Sequence, residues 1–151
     1  MDTLQYPTLS LEPSQTAQLL DYLNSEGFPA SIDSDGDIIF KSEGLDYALC
    51  FDRKDANFAK LILPNIWEIN EQAELHQALI QLDNINRKLK VVKGHTVKDT
   101  VWLTVEFFYN DGAQITFFVK RMIRLLAHAA MVFARGMESD KEQLIELASR
   151  S

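Results

Sequence analysis

Four short stretches of alternating apolar and polar residues follow one another between Ala30 and Leu63, and the links between them are too short to hold a helix. They read as strands at Ser31–Asp33, Asp37–Lys41, Tyr47–Asp52 and Phe58–Leu63, with turns at Ser34-Asp35-Gly36 and Glu43-Gly44. Parallel neighbours need a crossover of a dozen or more residues, so these strands must pair antiparallel, as a meander. Leu89–Lys93 and Thr100–Tyr109, around Gly94–Asp99, read as a further hairpin. In its second strand Val101, Leu103, Val105, Phe107 and Tyr109 share one face, while Trp102, Thr104, Glu106 and Phe108 share the other.

Helical spacing marks the remainder. Pro13 or Ser14 opens a first helix, Gln15–Glu26, with Ala17, Leu19, Leu20 and Leu23 on one side, and Gly27 and Pro29 stop it. Pro64 reads as the end of the fourth strand and Asn70 as the cap of a helix over Glu71–Lys88, whose apolar positions are Leu75, Ala78, Leu79, Leu82, Ile85 and Leu89. Asp111-Gly112 leads into a long helix, Ala113–Met137, followed by a short polar helix within 139–149, at Asp140–Ala148. The expected class is α+β: an antiparallel sheet of about five to six strands, in the order α-ββββ-α-ββ-α, with helices packed on it. One domain is expected over 1–151, its core at about 14–137. A chain of 151 residues that is 46% hydrophobic buries roughly two-thirds of its unfolded surface.

Charge narrows the function classes. Fifteen Lys and Arg against 22 Asp and Glu give a net charge of −7, which opposes binding to nucleic acid or anionic lipid through bulk charge. The excess is local: residues 1–55 hold 3 basic and 11 acidic side chains, residues 56–151 hold 12 and 11. Cys50 has no intrachain disulfide partner, and the opening MDTLQYPTLSLEPS lacks the basic and apolar regions of a secretion signal, so a cytoplasmic location is expected.

Ile115–Phe133 is apolar enough to raise the question of a membrane span, but Lys120, Arg121, Arg124 and His128 interrupt it, each costly at a bilayer centre. At 100° per residue these cations and Arg135 share one stripe. Most of the remaining circumference is apolar, more than a sheet alone needs to cover, so the helix must meet either the second helix or a second subunit. A homodimer is the expectation. The stripe of Lys120, Arg121, Arg124 and His128 is a candidate site for a small anionic ligand, should partial burial demand a counter-charge.

Other candidates are weaker. Asp33-Ser34-Asp35-Gly36-Asp37 alternates carboxylates as a calcium loop does, but Gly36 stands fourth and Gly44 twelfth, where an EF-hand needs glycine sixth and glutamate twelfth. It reads as an acidic turn. His76, His95 and His128 are single, Cys50 lies between Leu49 and Phe51 as a packed hydrophobe, and no phosphate loop or nucleophile elbow occurs. We therefore expect no catalytic, metal or cofactor site. Arg87, Lys88, Lys90, Lys93 and Lys98 form a basic run, but without the aromatics of a nucleic-acid-binding surface. Trp67 is expected to plug one end of the core. Trp102 and Phe108, on the face of their strand opposite the core, point either to a protein or peptide partner or to cover by the first helix or the N-terminal arm.

The same order of elements carries particular strings: Gly27-Phe28, Asp35-Gly36-Asp37-Ile38, Tyr47–Asp52, Leu82-Asp83-Asn84-Ile85-Asn86 with Lys90-Val91 after it, and Val101–Phe107. In these the chain resembles the YbjN-type bacterial domain over about Thr16–Met137. The resemblance implies the fold of type III secretion chaperones and a commonly dimeric, non-enzymatic domain that binds polypeptides, a chaperone-like or regulatory adaptor. It transfers no individual site residue.

Overall fold

The computed structural model describes residues 13–150. Three helices and six strands follow in the order α1 (Pro13–Ser25), β1 (Ala30–Ile32), β2 (Ile38–Ser42), β3 (Leu45–Phe51), β4 (Phe58–Glu68), α2 (Gln72–Lys88), β5 (Val92–Val97), β6 (Thr100–Phe108) and α3 (Gly112–Ser149). The strands form one sheet in the order β1-β2-β3-β4-β6-β5, every neighbouring pair antiparallel.

Alternation builds the core. Ile38, Phe40, Tyr47, Leu49, Ala59, Leu61, Leu63, Val101, Leu103 and Val105 are buried on one face of the sheet. Leu19 and Leu23 of α1, Ala78, Leu82 and Ile85 of α2, and Ile115, Val119, Leu126, Ala129, Phe133 and Met137 of α3 meet them in a single cluster. Each large side chain so buried contributes about 1.5–3 kcal/mol relative to exposure. The helices therefore form one layer, and among the described residues no element covers the other face of the sheet. Much of the apolar circumference of α3 is taken up by the sheet, by α1 and by α2, the intrachain option for its second contact, while Phe117, Phe118 and Met131 stay exposed.

The structure moves several expected boundaries. Pro64 does not end β4. The strand runs on to Glu68 across an irregularity between Leu63 and Trp67, where Asn65 takes φ +54°, and a bulge is one of the few places a strand tolerates proline. Trp67 is accordingly a strand residue and not a loop residue. It does close the end of the core, its ring edge-on to Phe133 at 5.8 Å and its Nε1 donating to Glu74 at 3.2 Å. Asn70 does not cap α2; the cap position is Glu71, which makes no side-chain cap bond.

The first strand of the last hairpin lies at least three residues later than expected, while the second begins at Thr100 as expected. Gly94 lies inside β5, and the turn is only Lys98-Asp99. A Cβ at position 94 would stand 2.6 Å from Leu82 Cδ2 and 2.9 Å from Leu103 Cδ2, so glycine there reflects close packing between α2 and β6 and not a turn. Asn86 of α2 completes the position: its Oδ1 accepts from Gly94 N at 2.7 Å and its Nδ2 donates to Gly94 O at 3.1 Å, standing in for a neighbouring strand. Finally, α3 does not break into two helices. It is continuous over 38 residues, and Gln81 Nε2 donates to Asp140 at 3.0 Å across the expected break.

Candidate functional site

The last residues of β6 form an open stretch of sheet edge. Tyr109 donates its backbone N–H to Asn57 O at 2.9 Å, on the β4 side. Alternation along a strand turns the N–H and C=O of Glu106 and Phe108 the other way. On that side β5 begins only at Val92, opposite Val105, so β6 runs past it by Glu106, Phe107 and Phe108. The cause is local. Val91 takes φ +55°, and Val92 N donates to Lys90 O at 2.7 Å, a tight turn that carries the end of α2 away from β6. A β-branched residue rarely adopts this conformation.

Between this edge and α3 lies a groove of about 400 Å³. Val105, Phe107, Tyr109, Phe118, Met122 and Leu125 form its apolar wall, with Val91 and Phe108 at its rim and Lys90, Glu106, Gln114 and Arg121 as its polar members. Val91 is 62% exposed, Phe108 79% and Phe118 47%. Such a concave apolar wall with a few polar groups is the usual form of a binding site. A second hollow, of about 360 Å³, lies across Ile39, Ala48 and Pro64 on the uncovered side of the sheet.

The two aromatics singled out in the sequence do not form one site. Both lie on the uncovered face, but six residues of strand separate them, about 20 Å. Trp102 is half-buried, its Nε1 donating to Asn65 Oδ1 and Thr100 Oγ1, each at 3.1 Å. Phe108 stands at the groove, edge-on to Phe58 at 5.6 Å. Cover by the first helix does not occur, because α1 packs on the core side; the N-terminal arm lies outside the described residues.

The cationic stripe divides as well. Lys120 donates to Glu26 at 2.6 Å, a bond that pushes its ammonium above the ordinary lysine value. Arg121, Arg124, His128 and Arg135 follow Phe117 along the solvent side of α3, and of the four candidate anion ligands Arg121 lines the groove while Lys120, Arg124 and His128 do not. The basic run is similarly dispersed: Arg87 is held by Asp83 and Asn84, Lys93 by Glu106 at 3.4 Å, and Lys90 stands at the groove. Phe118, Met122 and Leu125 carry no mark in the sequence beyond the apolar surplus of their helix.

The acidic turn binds itself. Asp33 Oδ1 accepts from the backbone N–H of Asp35 and of Asp37, each at 2.9 Å, and Asp35 pairs with Arg53 at 3.8 Å. Burial, and after it the Asp33 carboxylate, push Asp37 above the usual carboxylate range. A raised native value means that the folded state holds this proton more tightly than the unfolded chain, so stability falls as pH rises from about 4 through the native value. Asp37→Asn is expected to raise the melting temperature at pH 7, with the gain vanishing below about pH 3.5. Thermal denaturation across that range measures both. Burial, with the Asp37 charge behind it, pushes the Cys50 thiol up to about 12, which keeps it protonated and a poor nucleophile.

No helix is long and apolar enough to cross a membrane, among the described residues. The class defined by these observations is an α+β domain with a six-stranded antiparallel sheet, helices on one face and an apolar groove at an incomplete sheet edge. No family model and no curated protein matches the chain.

Proposed function

We propose that this chain is a non-enzymatic protein-interaction domain, a chaperone-like or regulatory adaptor of the cytoplasm related to the YbjN-type domains, which takes an extended partner segment along the open end of β6. The observation that carries the reading is that β6 outruns β5 by three residues directly beside an apolar groove. An added strand would satisfy the main-chain groups of Glu106 and Phe108 while its alternate side chains enter the groove against Phe118 and Leu125. Main-chain pairing gives affinity, and the groove gives selectivity.

Immobilised eight-residue peptides with apolar residues at alternate positions provide the test. Phe108→Ser with Phe118→Ser is expected to weaken capture at least tenfold with only a modest change in melting temperature, because Phe108 is largely exposed and Phe118 about half exposed. Undiminished capture by that double variant would contradict the reading, and Trp102→Ser serves as the distant control. We further propose that the chain is a homodimer, on the ground that Phe117, 79% exposed, and Met131 remain uncovered on the outer stripe of α3. Light scattering over a dilution series is expected to give twice 17.2 kDa; a strictly monomeric mass at tens of micromolar would remove the dimer.

A further inference from the structure

Resting on that reading of the groove, we infer that the partner segment carries an acidic side chain, and that Arg121 and Lys90 select it. Both cations border the groove, and among the described residues neither lies within ion-pair distance of a carboxylate. This is notable in a chain with 22 acidic residues against 15 basic ones. Its fold supplies partners close by: Lys120, one residue from Arg121, is tied to Glu26 at 2.6 Å, and Arg87, three residues from Lys90, to Asp83 at 3.9 Å. The acid on the groove wall, Glu106, is engaged at 3.4 Å by Lys93. Two cations without an ion-pair partner among the described residues thus border one groove, whose own acid is engaged by Lys93.

The surroundings favour an acid held on a polypeptide. Main-chain groups of Glu106 and Phe108 face the groove side and call for strand pairing, which a simple anion cannot supply. The apolar wall of Phe107, Phe118, Met122 and Leu125 accepts the side chains that point toward α3. A carboxylate near the mouth then meets Arg121, whose planar guanidinium can hold both its oxygens, and Lys90, which adds a point charge.

The test uses two peptide libraries with identical alternating apolar positions, one with Glu and the other with Gln between them, measured by fluorescence anisotropy on the full chain. The Glu library is expected to bind about tenfold more tightly at low salt, and the advantage to shrink as salt screens it. Arg121→Gln with Lys90→Gln is expected to abolish the difference by weakening the Glu peptides alone, while Arg124→Gln, outside the groove, keeps it. Equal binding of the two libraries to the wild type, or an advantage that survives the double variant, overturns the acid selection and leaves the groove reading standing. Binding of neither library overturns both.

Discussion

Phe133→Ala is expected to destabilise the fold by about 4 kcal/mol and to lower the melting temperature by on the order of 10 °C. Phe133 is fully buried in the middle of α3, where the ring edge of Trp67 meets it at 5.8 Å. Truncation removes the transfer energy of a large ring and leaves a cavity between α3 and the end of β4. That cavity closes poorly, because Trp67 is anchored on both sides: by its strand pairing with Val101 and by its bond to Glu74. Chemical denaturation of the wild type and the variant gives the value directly. A loss under about 1 kcal/mol would mean that α3 does not pack on the sheet as described.

Gly94→Val is expected to cost about 3 kcal/mol or more. Even the first carbon of a side chain at this position would overlap Leu82 and Leu103, both buried, and the branched remainder has nowhere to go. Relief requires β5 to shift away from α2, which breaks the two bonds between Asn86 and the Gly94 main chain. Glycine loses conformational freedom on folding, so a substitution at an uncrowded strand position would be neutral or stabilising. The sign of the effect therefore separates close packing from an uncrowded strand position. Equilibrium unfolding in urea measures it.

The difference at Gly94 shows where sequence patterns stop. The first meander was legible because its turns carry their own chemistry: Gly36 at φ +84° and Glu43-Gly44 at +50° and +79° are left-handed positions that glycine marks. Gly94 carries the same letter for the opposite reason, crowding in place of backbone freedom, and only the position of Leu82 on α2 reveals it. Pro64 misleads in a related way, since a proline that usually ends a strand here sits at an irregularity within one. The break expected before Asp140 had no proline and no capping bond behind it, and α3 simply continues.

The candidate site was half visible. Phe108 stands out in the sequence because alternation places a large aromatic on the wrong face, and Arg121 because a cation interrupts an apolar helix. Nothing in the pattern brings the two together. Their proximity depends on where β5 starts, which is set by the left-handed backbone of Val91, a conformation no propensity would assign to valine. Trp102 and Lys120 looked equivalent to them in sequence. The structure occupies both, one with Asn65 and Thr100, the other with Glu26.

The central claim is that a partner strand pairs with β6 beyond Val105. Amide hydrogen exchange of the full chain, followed residue by residue by NMR with and without the Glu peptide library, reads it most directly. Slowed exchange at Glu106 and Phe108, with Tyr109 unchanged because its N–H is already held by Asn57, is the predicted result. Peptide binding that leaves the Glu106 and Phe108 amides exchanging as fast as in the free protein would contradict the account.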